Sequence, residues 1–265
     1  LQKQNMTVIG VLKKIAFYIA LVAIWELVYK LGVDVLSIWK PYTFPSPFQV
    51  TKSLYNLVKD NTLFIAILAS MGRLLLGYLL SVVIGLSLGL FIVRFKYIGD
   101  NIKALILGLQ TLPSICWVPF AILWYGISEQ SIIFVIAMGS IFSISIATEG
   151  AISNVYPLYI KAAKTMGAKG LKLYINVIIP AALPGIVAGM KQGWSFAWRA
   201  LMAGEMISSS KGLGYVLMVG RDVGDISQVV AVMVVIIALG LLLDKIVFGR
   251  IETNIRQKWG LKTEI

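Results

Sequence analysis

The 265-residue sequence contains no histidine and a single cysteine, Cys116. Without histidine, zinc, haem and Ser-His or Cys-His chemistries lose their commonest residue. One cysteine permits neither an intrachain disulfide nor a cysteine-based metal site. Charge is scarce too: 14% of residues are Asp, Glu, Lys or Arg, against about 25% in a soluble domain. What is abundant is apolar surface, with 58% hydrophobic residues and a mean hydropathy of +0.86. That balance excludes a soluble globular domain and a disordered chain. Acids are outnumbered by bases, 12 to 24, for a net charge of +12. A nucleic-acid surface would need those bases on one continuous face, whereas here they punctuate long apolar runs. No nucleic-acid partner is expected; the composition fits a lipid bilayer.

A bilayer core of about 30 Å takes roughly 20 apolar helical residues. Six segments qualify, at about 15–33, 63–93, 104–125, 131–149, 184–204 and 226–248. The fold class is therefore an all-α polytopic membrane protein with six transmembrane helices. The first run has no small-residue cleavage site before its polar flank and reads as a retained span. The second is too long for one span, so residues 61–73, with Arg73 near an interface, are expected to extend it into water. Pro113 and Pro119 are expected to kink the third. Lys and Arg concentrate in one set of loops: Lys3, Lys13 and Lys14; Arg94, Lys96 and Lys103; Lys161, Lys164, Lys169 and Lys172; Lys245, Arg250, Arg256, Lys258 and Lys262. The positive-inside rule makes that side cytoplasmic. Residues 1–14 then form a cytoplasmic N-terminus, 15–250 the membrane domain with an inner loop at 150–183, and 251–265 a cytoplasmic tail. The outer loops are 34–60, containing Pro41, and 205–225.

Close helix packing in lipid relies on small residues. Gly77, Ser81, Gly85 and Gly89 in the second span, and Gly185, Gly189 and Gly193 in the fifth, recur every four positions. They predict tight helix contacts around a path or a dimer seam. In the fifth span, Lys191, Trp194, Ser195, Trp198, Met202 and Glu205 share one helical arc, with Arg199 at its edge. Ionisable residues inside a span are costly and mark pathways by default, so this arc, with Trp117 from the third span, is the candidate translocation path. Snorkelling of Lys191 and Arg199 to the interfaces is the plainer alternative. Glu26 and Lys30 suit a helical ion pair. Glu149 is expected to be solvated at the inner interface, and Cys116 to be a small packing residue.

The inner loop 150–183 has structure of its own. Pro157 can begin a helix, Gly167 and Gly170 interrupt it, a second short helix starts near Leu171, and Pro180 and Pro184 precede the fifth span. Two short helices, basic outside and apolar inside, suit a docking platform; a loop resting on acidic lipid headgroups is the alternative.

Lys161-Ala162-Ala163, then Gly167 four positions on, then Val177-Ile178-Ile179-Pro180 resemble the cytoplasmic loop motif of membrane subunits of ABC importers, with Lys161 replacing the usual glutamate. Leu112-Pro113-Ser114 through Trp117-Val118-Pro119 to Gly126, Ala203-Gly204-Glu205-Met206 and Gly212-Leu213-Gly214-Tyr215 are similar to the nitrate, sulfonate, taurine and bicarbonate branch. The resemblance implies a six-span permease of type I importer architecture in a bacterial cytoplasmic membrane. It further implies a homodimer, two ABC ATPase subunits docked on Tyr159, Lys161, Ala162, Ala163, Met166, Gly167, Ala168, Lys169 and Pro180, and an extracytoplasmic substrate-binding protein. The sequence holds no G-x-x-x-x-G-K-[ST] phosphate loop. ATP and Mg are thus expected on the partner ATPase, no cofactor on this chain, and no enzymatic activity. The implied cargo is a small anion such as a sulfonate, taurine, nitrate or bicarbonate; an aromatic or vitamin-precursor substrate is the alternative within the class. Outside it stands a proton-coupled secondary transporter using Glu26 or Glu149, against which no repeat relates residues 1–130 to 131–265. An intramembrane enzyme would need a nucleophile and base that the sequence does not offer.

Overall fold

A computed structural model describes residues 2–40, 42–208, 211–249, 251, 253 and 255. Pro41, Arg250, Arg256, Lys258, Lys262 and most of the expected tail 251–265 lie outside the described residues. Regular structure among the described residues is entirely helical. In order the α-helices are α1 (Gln2–Tyr29), α2 (Pro47–Lys59), α3 (Thr62–Arg94), α4 (Lys96–Gln110), α5 (Val118–Tyr125), α6 (Glu129–Ser153), α7 (Pro157–Thr165), α8 (Gly170–Leu173), α9 (Ile179–Ser208), α10 (Leu213–Asp222) and α11 (Ile226–Asp244). Among the described residues, five stretches are long and apolar enough to cross a membrane, and six if the bent pair α4 and α5 is one span.

Two of the expected spans differ in form. The expected single span 104–125 is broken: Lys96–Gln110 and Ser114–Tyr125 meet at 100°, far beyond a proline kink. Pro113 forces Leu112 out of helical geometry, Thr111 closes α4 by donating its hydroxyl to Gly108 O at 2.7 Å, and a 3-10 turn, Ser114–Trp117, follows. Pro119 lies in the first turn of α5, where its missing N–H costs nothing. The fifth span, conversely, is longer than expected. α8 runs through a π-helical turn, Tyr174–Ile178, straight into α9, making one helical stretch Gly170–Ile207. Pro180 sits in that stretch and Pro184 inside α9; the π turn beside them is a usual way for a helix to absorb such a defect.

The chain divides into two compact units, Leu1–Phe64 with Val216–Ile236, and Ile65–Tyr215 with Ile237–Ile265. In the first, Trp25 donates its indole N–H to Pro45 O at 3.1 Å. Ser46 and Gln49 form a reciprocal capping box on α2, with Pro47 at its first position. Glu26 and Lys30 pair at 3.5 Å, as their spacing predicts. The apolar window of α1 is 6% buried.

In the second unit α6 is central, with 67% of its apolar window buried. Both glycine ridges grip it. A Cβ on Gly77 would stand 2.7 Å from Ile136 Cγ2, on Gly85 2.8 Å from Ile144 Cβ, and on Gly89 2.6 Å from Thr148 Cβ. Between them Ser140 donates its hydroxyl to Ser81 Oγ at 2.7 Å. On α9, Gly185 meets Ala151, Gly189 meets Ala147 and Gly193 meets Ile144. The ridges therefore build contacts within one chain, against a shared helix, and these residues are spent there rather than on a dimer seam. Tyr78, Trp194 and Phe248 fill the apolar centre beside Leu74, Ile136 and Leu201.

Candidate translocation path and docking loop

The acid expected on the path is instead a buried structural centre. Glu205, on the last turns of α9, is 1% exposed. It accepts from Arg73 Nη1 at 2.9 Å, from Ser70 Oγ at 2.8 Å and from the Gly214 backbone N–H at 3.0 Å. Arg73 also donates to Glu129 Oε1 at 3.1 Å and to Lys211 O at 2.5 Å, and Ser70 Oγ accepts from the Leu213 N–H at 2.9 Å. The Glu205 carboxyl group fills the space where a Cβ on Gly212 would lie, and Glu205 Cβ sits 2.7 Å from that of Gly214. Gly212 has φ +130°, a conformation that side chains disfavour. The pairing of Gly204-Glu205 with Gly212-Leu213-Gly214 in the sequence thus has a physical reason: the loop must wrap its backbone onto a carboxylate. Arg73 correspondingly is not in water, as expected from span length, but 4% exposed.

The rest of the arc divides. Trp194 is buried, edge-on to Tyr78 with centroids 5.0 Å apart. Trp198 and Met202 are half-buried against the same core, and the Trp198 indole approaches Gly240. Lys191 reaches Asp244 Oδ2 at 3.5 Å, an ion pair between helices. The reason is common to all four: aromatic, thioether and charged groups on α9 find partners on α3 and at the end of α11. Glu149, expected in water, is also paired, at 2.6 Å from Lys103 Nζ, and accepts from Ser153 Oγ at 2.9 Å. Cys116, expected to pack, is exposed.

Ser195 and Arg199 face the other way and are exposed. Arg199 donates Nε–H to Ser195 O at 3.1 Å, and its guanidinium carbon lies 4.6 Å from the Phe196 ring centroid. It borders a cavity of about 270 Å³ where α4 breaks, lined also by Gln110, Thr111, Ser114, Met138 and Phe142. Trp117 does not line this cavity; it packs beside Phe142, centroids 6.1 Å apart. Gln110, Thr111 and Ser114 did not stand out in the sequence as binding groups; the cue to them was Pro113, which opens the backbone around them.

The inner loop is rigidly built. α7 ends in a Schellman motif: Gly167 N–H bonds Lys164 O at 3.0 Å and Ala168 N–H bonds Ala163 O at 2.9 Å. Gly167 has φ +88°, which the motif requires and which favours glycine. Ala163 packs inward on Ile152, Val155, Leu173, Ile178 and Ile186, with Ala168 at the edge and Pro180 half-buried. Ala162, Tyr159, Met166, Lys161 and Lys169 point outward. Met166 is 87% exposed and Leu171 74%. Large apolar side chains beside Lys161, Lys164, Lys169 and Lys172 make a surface of the kind that protein partners cover.

Residues 81–257 match the family model described as "binding-protein-dependent transport system inner membrane component". A putative ABC transporter permease protein of Methanocaldococcus jannaschii is 36% identical over 200 residues, covering 75% of this chain and 73% of that one. A putative aliphatic sulfonates transport permease of Bacillus subtilis is 29% identical, covering 94% of this chain and 88% of its own length. Among solved structures, one described as inward-facing conformations of the MetNI methionine ABC transporter has a TM-score of 0.62 at 20% identity, covering 73% of this chain and 96% of that one, a likeness of fold. The chain belongs to the inner membrane components of binding-protein-dependent transport systems.

Proposed function

We propose that two copies of this chain form the membrane pathway of an ATP-driven importer, with both termini in the cytoplasm and an ATPase subunit docked on each 155–176 loop. A solute delivered by an extracytoplasmic binding protein crosses between the subunits when ATP closes the ATPases. ATP and Mg belong to the ATPase, and this chain transmits movement without catalysing a reaction. A small anion, such as a sulfonate or nitrate, is the proposed cargo. Arg199 at the α4 break supports it by charge, and a relative named for aliphatic sulfonates supports it by kinship.

The observation that carries the docking assignment is the exposed apolar and basic face of α7 and α8, held on a buried apolar base. A Cβ on Gly167 meets nothing within 4 Å, so a large side chain there projects outward. Gly167→Trp and Met166→Asp are expected to abolish co-isolation of the chain with its ATPase while leaving the chain in the membrane. Association that survives gross changes across 158–172 overturns the assignment.

A further inference from the structure

At the turn from α3 into α4, the successive residues Arg94, Phe95, Lys96, Tyr97 and Ile98 are all exposed. The backbone beneath them is fixed. Phe95 N–H bonds Phe91 O at 3.0 Å and Gly99 N–H bonds Phe95 O at 2.6 Å. Gly99 is buried, so close to the Ile92 backbone that a Cβ would strike it. The Phe91 and Phe95 rings lie with centroids 4.8 Å apart, and the Arg94 guanidinium carbon stands 6.0 Å from the Phe95 centroid. Neither Arg94 nor Lys96 makes an ion pair among the described residues. The first turn of α4 holds no acid; Asp100 beyond it is exposed and bonds neither base. Lys103, further along, is taken by Glu149.

We propose that this turn is a headgroup site for anionic phospholipid, its phosphodiester paired with Arg94 and Lys96 and its acyl chains laid along α4. Arg94 ends a 33-residue apolar helix, so the two bases stand where hydrocarbon gives way to headgroups. Aromatic side chains at that level are the usual interfacial anchors, and bases beside an anionic lipid surface are drawn to it. Ile98 and Leu105, seven positions apart, share one face of α4 and are 53% and 62% exposed. The patch therefore continues as apolar surface for about 10 Å along the helix. An acidic soluble partner would match the bases and leave that apolar face bare; a lipid covers both. A zwitterionic lipid carries the same phosphate with its own compensating cation, so the site favours lipid with net negative charge. The side of the membrane on which the turn lies is taken from the reading above, and nothing else in the inference rests on it.

The test uses the full chain in bilayers of mixed phosphatidylcholine and phosphatidylglycerol, with Cys116→Ser removing the native thiol and Leu105→Cys carrying a bimane fluorophore. Quenching is compared when bromine is placed on the chains of one lipid or of the other. Phosphatidylglycerol is expected to occupy the site about tenfold more than phosphatidylcholine at equal fraction, within the about fivefold per base that an anionic surface supplies. Arg94→Gln and Lys96→Gln should each cut that preference about threefold. Lys245→Gln, which removes another base of the same side, should leave it unchanged. At about 1 M salt, where the screening length falls to about 3 Å, the preference should vanish. Equal occupancy by the two lipids, a loss as large in Lys245→Gln as in Lys96→Gln, or a preference that survives salt overturns the proposal. Absence of quenching by either lipid shows that protein covers this face, and overturns it as well. Neither ATPase nor cargo is present, so failure here is distinguishable from failure of the docking assignment.

Discussion

Glu205 and Arg73, 132 positions apart in the chain, meet at 2.9 Å where neither side chain has more than 5% of its surface exposed. Their contact ties the end of α9 to α3, and through Ser70 and Gly214 it ties both to the loop leading into α10. Removing one member of a buried ion pair strands the other, at about 3–5 kcal/mol. Arg73→Ala and Glu205→Ala are each expected to destabilise the chain by about that much, read as earlier unfolding in a detergent titration. Arg73→Leu combined with Glu205→Leu should cost less than the sum of its parts. Simple additivity would show that the pair is not energetically coupled.

The α6 contacts set a second expectation. Gly189→Ala places a methyl into Ala147, and overpacking of this kind costs about 1–3 kcal/mol. Gly72, also in a helix, has nothing within 4 Å of its missing Cβ. Gly72→Ala should therefore stabilise by up to about 1 kcal/mol through helix propensity alone. Opposite signs in one unfolding assay would verify the packing; equal effects would refute it.

At Gly167 the backbone, and not space, is limiting. Gly167→Asn should retain ATPase association, because Asn tolerates the left-handed conformation. Gly167→Val should lose about 1–2 kcal/mol from strain and weaken association with it, measured by co-isolation and thermal stability together.

Lys103 and Glu149 form a short, half-buried pair. Either single neutralisation should cost about 1.5–3 kcal/mol, the range for hydrogen bonds to charged groups. The exchange Lys103→Glu with Glu149→Lys should recover part of it. Uptake by Glu149→Gln should remain driven by ATP; uptake that becomes uncoupled from a proton gradient in this variant would restore Glu149 as a proton site.

Much of this arrangement was readable in the sequence, and the exceptions share a cause. Hydrophobic run lengths located the helices, and the i+4 small-residue ridges announced close packing. That both ridges close on α6 is a long-range pairing, which periodicity within one helix does not encode. Helical arc and span length place Glu205 on a path and Arg73 at an aqueous interface, each without reference to the other. Two ionisable residues in otherwise apolar helices are each other's natural partners, and that pairing was the available signal. Lys191 and Asp244 illustrate the same point. Pro113 marked the α4 break correctly as a defect, but only the backbone shows that it turns the chain by 100° and opens a cavity beside Arg199. Gly167 was marked by spacing, and the Schellman bonds supply the reason.

The central claim, that this chain is the pathway of an ATP-driven importer, is tested most directly by uptake in proteoliposomes. They contain the chain and its co-isolated ATPase, with the binding protein added outside and its bound solute as the labelled cargo. Uptake is predicted to require enclosed ATP, to persist with a protonophore, and to vanish with Met166→Asp. Uptake that collapses with the protonophore while ATP is held constant would contradict the account.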